Sequence, residues 1–204
     1  ANVTSLEEGE FGKSFSPWAT EEYAAVLRAA DAVWEVSDEN RKALASVAGV
    51  VSEYVPLVRA SPAWISETGE VQVDPKYSSD VLFYGAMSTY RERVWNELKA
   101  ALSNTTILSH ARVYGRNVDA LASVAKIVLS MPTWSFGREH KATRLAPLLA
   151  NGRFVVVVAE QNDVLDNELN LLIRAQAVAV SSRENLPNVV NYYLENPEQR
   201  QAIA

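Results

Sequence analysis

Residues 138–144 read Arg-Glu-His-Lys-Ala-Thr-Arg, after a tryptophan-containing loop and before the apolar residues Leu145, Leu148 and Leu149. A carboxylate beside an imidazole can accept hydrogen bonds from hydroxyls and exchange a proton near neutral pH. The spacing predicts a helix over 138–151 that stops at Asn151-Gly152. That helix sets Glu139 and His140 in its first turn, where the backbone dipole favours a carboxylate. Arg144 follows about one turn later, a natural partner for the Glu139 neighbourhood. The plainer reading makes Glu139 a capping charge and His140 incidental.

Two other stretches carry chemistry. In Phe83–Arg93, FYGAMSTYRER, an apolar run ends on Gly85, Ser88 or Thr89 can open a helix, and Arg91 and Arg93 add positive charge. Glycine lets a ligand approach the backbone, and helix N-termini favour anions, so this stretch suits a phosphate. In Ala111–Asn117, ARVYGRN, Tyr114 and Gly115 offer a ring and close backbone groups to a heterocyclic base. An ordinary turn with surface arginines is the alternative in both cases.

The elements that position these residues follow from pattern. Glu21 and Glu22 open a helix with Tyr23, Val26, Leu27 and Ala30 on one face, and a second helix is expected over 38–48. A short strand over 53–58 precedes a connector over 59–78, which holds two prolines and a glycine. From 79 onward, apolar runs alternate with helical patterns. Strands are expected at 79–85, 105–109, 126–131, 154–159 and 177–181. Between them lie a helix with a Thr89–Glu92 capping box, one capped by Asn117, the 138–151 helix and one over 163–174. Two closing helices begin near Leu186-Pro187 and Asn196-Pro197. Continuously apolar strands alternating with helices predict an α/β, Rossmann-like parallel sheet with helices on both faces. The expected organisation is a small helical segment over 1–58, the connector, and a Rossmann-like domain over 79–204.

Composition narrows the chemistry. The 204 residues are 48% hydrophobic, carry a net charge of -6 and include no cysteine and two histidines, His110 and His140. Thiol chemistry, disulfides and cysteine-based zinc sites are excluded, and a nucleic-acid partner is not expected. No apolar run approaches the roughly 20 residues of a membrane span. The polar, acidic N-terminus lacks the form of a secretory signal, so a cytoplasmic location is expected. The phosphate-loop, dinucleotide and nucleophile-elbow motifs and a metal-binding Asp-x-Asp pair are absent.

Five stretches in order, VLFYG with its following helix, RVYGRNVDALASVAKIVLSM, GREHKATRLAPLLANGRFVVVVAEQND, LPNVVNYYLENPEQRQAIA and the earlier LRAADAVWEVSDENRKAL with YVPLV, resemble GT-B glycosyltransferases. The first four are similar to the C-terminal, donor-binding half, and the fifth to the end of the acceptor half. The resemblance implies a metal-independent transfer of a sugar from a nucleotide-sugar donor, which is a substrate and not a cofactor, to a glycan, protein or small-molecule acceptor. Carried onto this sequence, it assigns Gly85 and Ser88 to the diphosphate with Arg91 as an auxiliary contact, and Val113 and Tyr114 to the base. Glu139 would serve ribose or sugar hydroxyls with His140 beside it, and Arg144 and Glu160 would complete the substrate contacts. Many relatives carry a second glutamate eight residues after the first, and this chain has Pro147 there. Little of an acceptor half is recognisable, so a fragment, a naturally reduced form or a subunit that needs a partner domain is expected. The competing expectation is a non-catalytic nucleotide-binding or assembly module.

Overall fold

The computed structural model describes residues 21–35, 41–42, 44–55, 77–113, 115–132, 142–159 and 167–204. The chain divides into two compact units, Ala1–Leu57 and Val58–Ala204. In the first, helix α1 (Glu21–Arg28) precedes strand β1 (Trp34–Glu35), a π-helical turn (Leu44–Ala48) and strand β2 (Glu53–Tyr54). The two short strands pair in parallel, Trp34 opposite Glu53. Ala24, Leu44, Ala48 and Val50 form a small core, and Arg28 donates to the Ala48 carbonyl at 2.8 Å. Within the expected 38–48 helix, residues 41–42 are α-helical and Leu44–Ala48 π-helical, and the 53–58 strand is a two-residue strand in its described part.

The second unit alternates strand and helix. Its elements are β3 (Ser79–Tyr84), α2 (Thr89–Ala101), β4 (Ile107–His110), α3 (Arg116–Val124), β5 (Ala125–Ser130), α4 (Ala142–Ala150), β6 (Val155–Val158), α5 (Asn167–Arg174), β7 (Ala179–Ser181), α6 (Leu186–Glu195) and α7 (Pro197–Ile203). The five strands form one sheet in the order β4-β3-β5-β6-β7, every pair parallel. The sheet is covered on both faces, as the apolar runs require. Side chains alternate along a strand, so Val81, Phe83, Ile127, Leu129, Val156 and Val158 pack against α2 and α6. Leu82, Val128, Val155 and Val157 turn the other way, toward Leu121 of α3, Leu145 and Leu148 of α4, and Leu169 of α5. All four valines of β6 are fully buried. Burying each contributes about 1.5–3 kcal/mol, which is why no charge interrupts that run.

Local chemistry sets the element ends. Ser88 caps α2: its backbone is extended (φ -102°, ψ 167°) and its hydroxyl accepts from Arg91 N at 3.3 Å. The cap is therefore Ser88, and Thr89, expected to cap through Glu92, is the first helical residue. Asn117 likewise lies inside α3, whose cap position is Gly115. Helix α4 ends where expected, with Gly152 at φ +61° and Arg153 N bonded back to the Leu148 carbonyl. The strand expected at 177–181 is shorter, Ala179–Ser181, because Gln176 takes a positive φ and Ala177 N closes onto the Leu172 carbonyl.

Candidate functional site

The chain reverses direction across the sheet between β3 and β5: from β3 it first moves outward to β4, then returns to β5 and continues to β7. In open parallel sheets, ligands bind at the C-terminal strand ends beside such a reversal. The strand ends there are Tyr84-Gly85 and Ser130-Met131.

Two arginines meet at this point from opposite layers. Arg91, in the first turn of α2, folds back over the sheet edge. Its Nε donates to the carbonyls of Met131 and Pro132 at 3.2 and 3.1 Å, Nη1 to Ala86 at 2.8 Å, and Nη2 to Met131 at 2.8 Å. Arg144 reaches from α4 on the other face. Its Nη2 donates to the Tyr84 carbonyl and, at 3.4 Å, to the Leu129 carbonyl. Both guanidinium carbons lie over the Phe83 ring, at 5.4 and 5.0 Å, and Arg144 also lies 4.2 Å from the Tyr84 ring centre. Gly85 makes this approach feasible. Its φ is +131°, and a Cβ there would stand 3.3 Å from Arg144 Nη1.

The electrostatics are unusual for so much buried charge. Among the described residues neither guanidinium meets a carboxylate, and Glu139, the partner expected for Arg144, lies outside them. Among the described residues their partners are carbonyl dipoles, ring faces and, for Arg144, the Tyr84 side chain. Burial, and then the neighbouring Arg144 cation, pull Arg91 down to about 10. Burial also lowers Arg144. Arg144 Nε is buried without a hydrogen-bond partner, and Nη1 faces Gly85. A partly buried cation without a counter-charge is costly, and among the described residues this arrangement is suited to receive an anion.

One strand outward, a second concavity opens at the end of β4. It is a cavity of about 320 Å³ lined by Tyr77, His110, Arg112, Val113, Asn117 and Leu121, among others. Tyr77 and His110 meet edge to face with ring centres 6.0 Å apart. Arg112 at its rim holds a positive φ of 58°, a conformation found chiefly where surroundings impose it. His110 ties the two concavities together, because its carbonyl accepts from Gly85 N at 2.9 Å.

The structure therefore brings Gly85, Arg91 and Arg144 together, with Val113 in the neighbouring cavity. Ser88 is at the same loop, but its hydroxyl caps the helix. Tyr114, Glu139, His140 and Glu160 lie outside the described residues. Sequence reasoning did not single out Tyr77, His110 and Arg112 as site residues, since they come from separate turns. The positive φ at Arg112 leaves no sequence signal. Among the described residues no group of three or more His, Asp or Glu could hold a metal ion, and no helix is long and apolar enough to cross a membrane.

A five-stranded parallel sheet with helices on both faces, and two arginines at its reversal point, defines a Rossmann-like domain of the kind that forms the C-terminal half of GT-B glycosyltransferases. Residues 70–204, well over half of the chain, match the family of glycosyl transferase-like proteins, and the chain belongs to that family. No curated protein matches it.

Proposed function

We infer that the second unit binds a nucleotide-sugar donor and passes its sugar to an acceptor without a divalent ion. The observation that carries this reading is the pair of partly buried guanidiniums at the sheet reversal, which have no carboxylate partner among the described residues. A diphosphate laid across them would supply a counter-charge. Among the described residues Arg91 keeps one N–H on each terminal nitrogen without a partner, and Arg144 Nε is buried without one. As the glycosidic bond breaks, charge grows on the departing diphosphate. Fixed cations in a water-poor crevice stabilise that charge as a metal would. The β4-end cavity, one strand away, is within reach of a base attached to that diphosphate. Val113, with Tyr114 next in sequence, is assigned to the base on this reading, and Glu139 to sugar hydroxyls with His140 beside it. Glu160 follows β6 directly and is assigned to the same substrate.

Isothermal titration in EDTA tests this. Uridine, guanosine and adenosine diphosphates are each titrated into the intact chain, Arg91→Ala and Arg144→Ala. At least one should bind the intact chain, and both variants should weaken it by roughly 1.5–3 kcal/mol, the range for hydrogen bonds to charged groups. Binding that appears only when manganese is added, or is equal in all three proteins, sinks the reading.

A further inference from the structure

The edge of the sheet away from β4 carries another concavity, unrelated to the arginine pair. It lies between the edge strand β7 and helix α6, with a volume of about 330 Å³. Its walls include Val180, Val189, Asn185, Asn188, Tyr192 and Tyr193, and none of the described lining residues is charged. On α6, positions 185, 188, 189 and 192 fall on one face by their three- and four-residue spacing.

Two features of this wall point to a ligand class. The first is a fixed aromatic platform. Tyr192 is half exposed, yet its ring stands edge-on to Tyr193 at 5.1 Å and 79°. Tyr193 in turn packs on the buried Phe154 at 4.5 Å. An exposed ring held by a buried stack loses little freedom when a ligand lies on it. The second is a pair of side-chain amides. Asn188 Nδ2 donates to Asn185 Oδ1 at 3.1 Å, which orients both amides and leaves the Asn185 NH₂ and the Asn188 carbonyl available. A ring for apolar C–H faces, amides for hydroxyls and no charge together suit a neutral sugar ring. The volume is at the lower end for ligand pockets, enough for a small ligand or one unit of a longer one. An extended peptide pairing with β7 fits less well, because that strand offers only three residues, and very short edge strands resist strand addition.

We propose that the β7–α6 cavity is a binding site for a neutral saccharide, separate from the donor crevice. Two strand spacings, about 10 Å, separate β7 from β5, so both sites can be filled together. The proposal does not depend on the donor reading.

Saturation-transfer NMR and calorimetry with maltohexaose, cellohexaose, xylohexaose, mannohexaose and chitohexaose test it. At least one should bind the full chain with a millimolar or tighter Kd. Tyr192→Ala should weaken that oligosaccharide about tenfold or more, a loss of about 1.4 kcal/mol, while Tyr192→Trp keeps it. Asn188→Ala should weaken it as well, with the melting temperature of each variant recorded. Nucleoside diphosphate binding should be the same in all these proteins and should not compete. The proposal is overturned if none of the five binds, if Tyr192→Ala binds as well as the intact chain, or if a nucleoside diphosphate displaces the sugar. A β-strand peptide that binds in place of every oligosaccharide also overturns it.

Discussion

Arg91 and Arg144 reach one phenylalanine from opposite sides of a sheet, and their proximity has a consequence for pH. Burial, then Arg144, bring Arg91 down to about 10. A bound anion favours the charged guanidinium and moves its pKa back up. Below that pH the group is already protonated, so binding takes up no proton and affinity is flat. Above it, binding must draw a proton from solution, and affinity falls as pH rises. Titrations with inorganic pyrophosphate from pH 7 to 11 are therefore read as the intact-chain curve minus the Arg91→Ala curve, a difference that should be level to about pH 9 and decline beyond. The subtraction removes the contributions of lysines and of the pyrophosphate's own last proton, which titrate in the same range. If the two curves run parallel throughout, Arg91 does not contact the anion. Arg144 shows where residue-level reading of the sequence stops. Its helical position suggests Glu139 as a neighbour, a residue outside the described ones. Among the described residues it donates to the carbonyl of Tyr84, sixty residues earlier in the chain, and no local sequence pattern announces that contact.

At the scale of elements, most of the fold was legible. Parallel strands with both faces covered must be apolar throughout, and Val81–Phe83, Ile127–Leu129 and Val155–Val158 could hardly be anything else. Element ends were less legible, because neighbouring residues compete for one role. Ser88 and Thr89 both have the hydroxyl a cap needs. The extended backbone at Ser88 decides it, since its Oγ then faces Arg91 N. Ser88→Ala should lower stability by about 0.5–2 kcal/mol, and Thr89→Ala much less, in urea melts followed by circular dichroism. Equal losses would mean that the helix begins one residue later. The β4-end cavity was legible only in part. ARVYGRN marks one wall, but Tyr77 belongs to a separate turn and His110 to the end of a strand. Their meeting depends on register, Tyr84 opposite His110, and pairing register across two strands is not written in either one.

For the molecule as a whole, the strand order that creates the crevice also sets a route for assembly. The central pair joins Ser79 to Ala125 and Val81 to Ile127, so the chain must close a long loop, carrying α2, β4 and α3, before its middle exists. Every later strand only adds to an edge already present. Such closure is entropically slow, and we expect it to be the barrier to folding. Trp95, packed 6.1 Å from Phe83 under that pair, reports when it forms. In stopped-flow fluorescence, Ile127→Val should cost about 0.5–1.5 kcal/mol and act mainly by slowing refolding. Val190→Ala, at the buried face of the late helix α6, should leave refolding nearly unchanged and speed unfolding. The reverse pattern would mean that folding starts at the β7–α6 end, and that the arginine crevice is the last part of the domain to close.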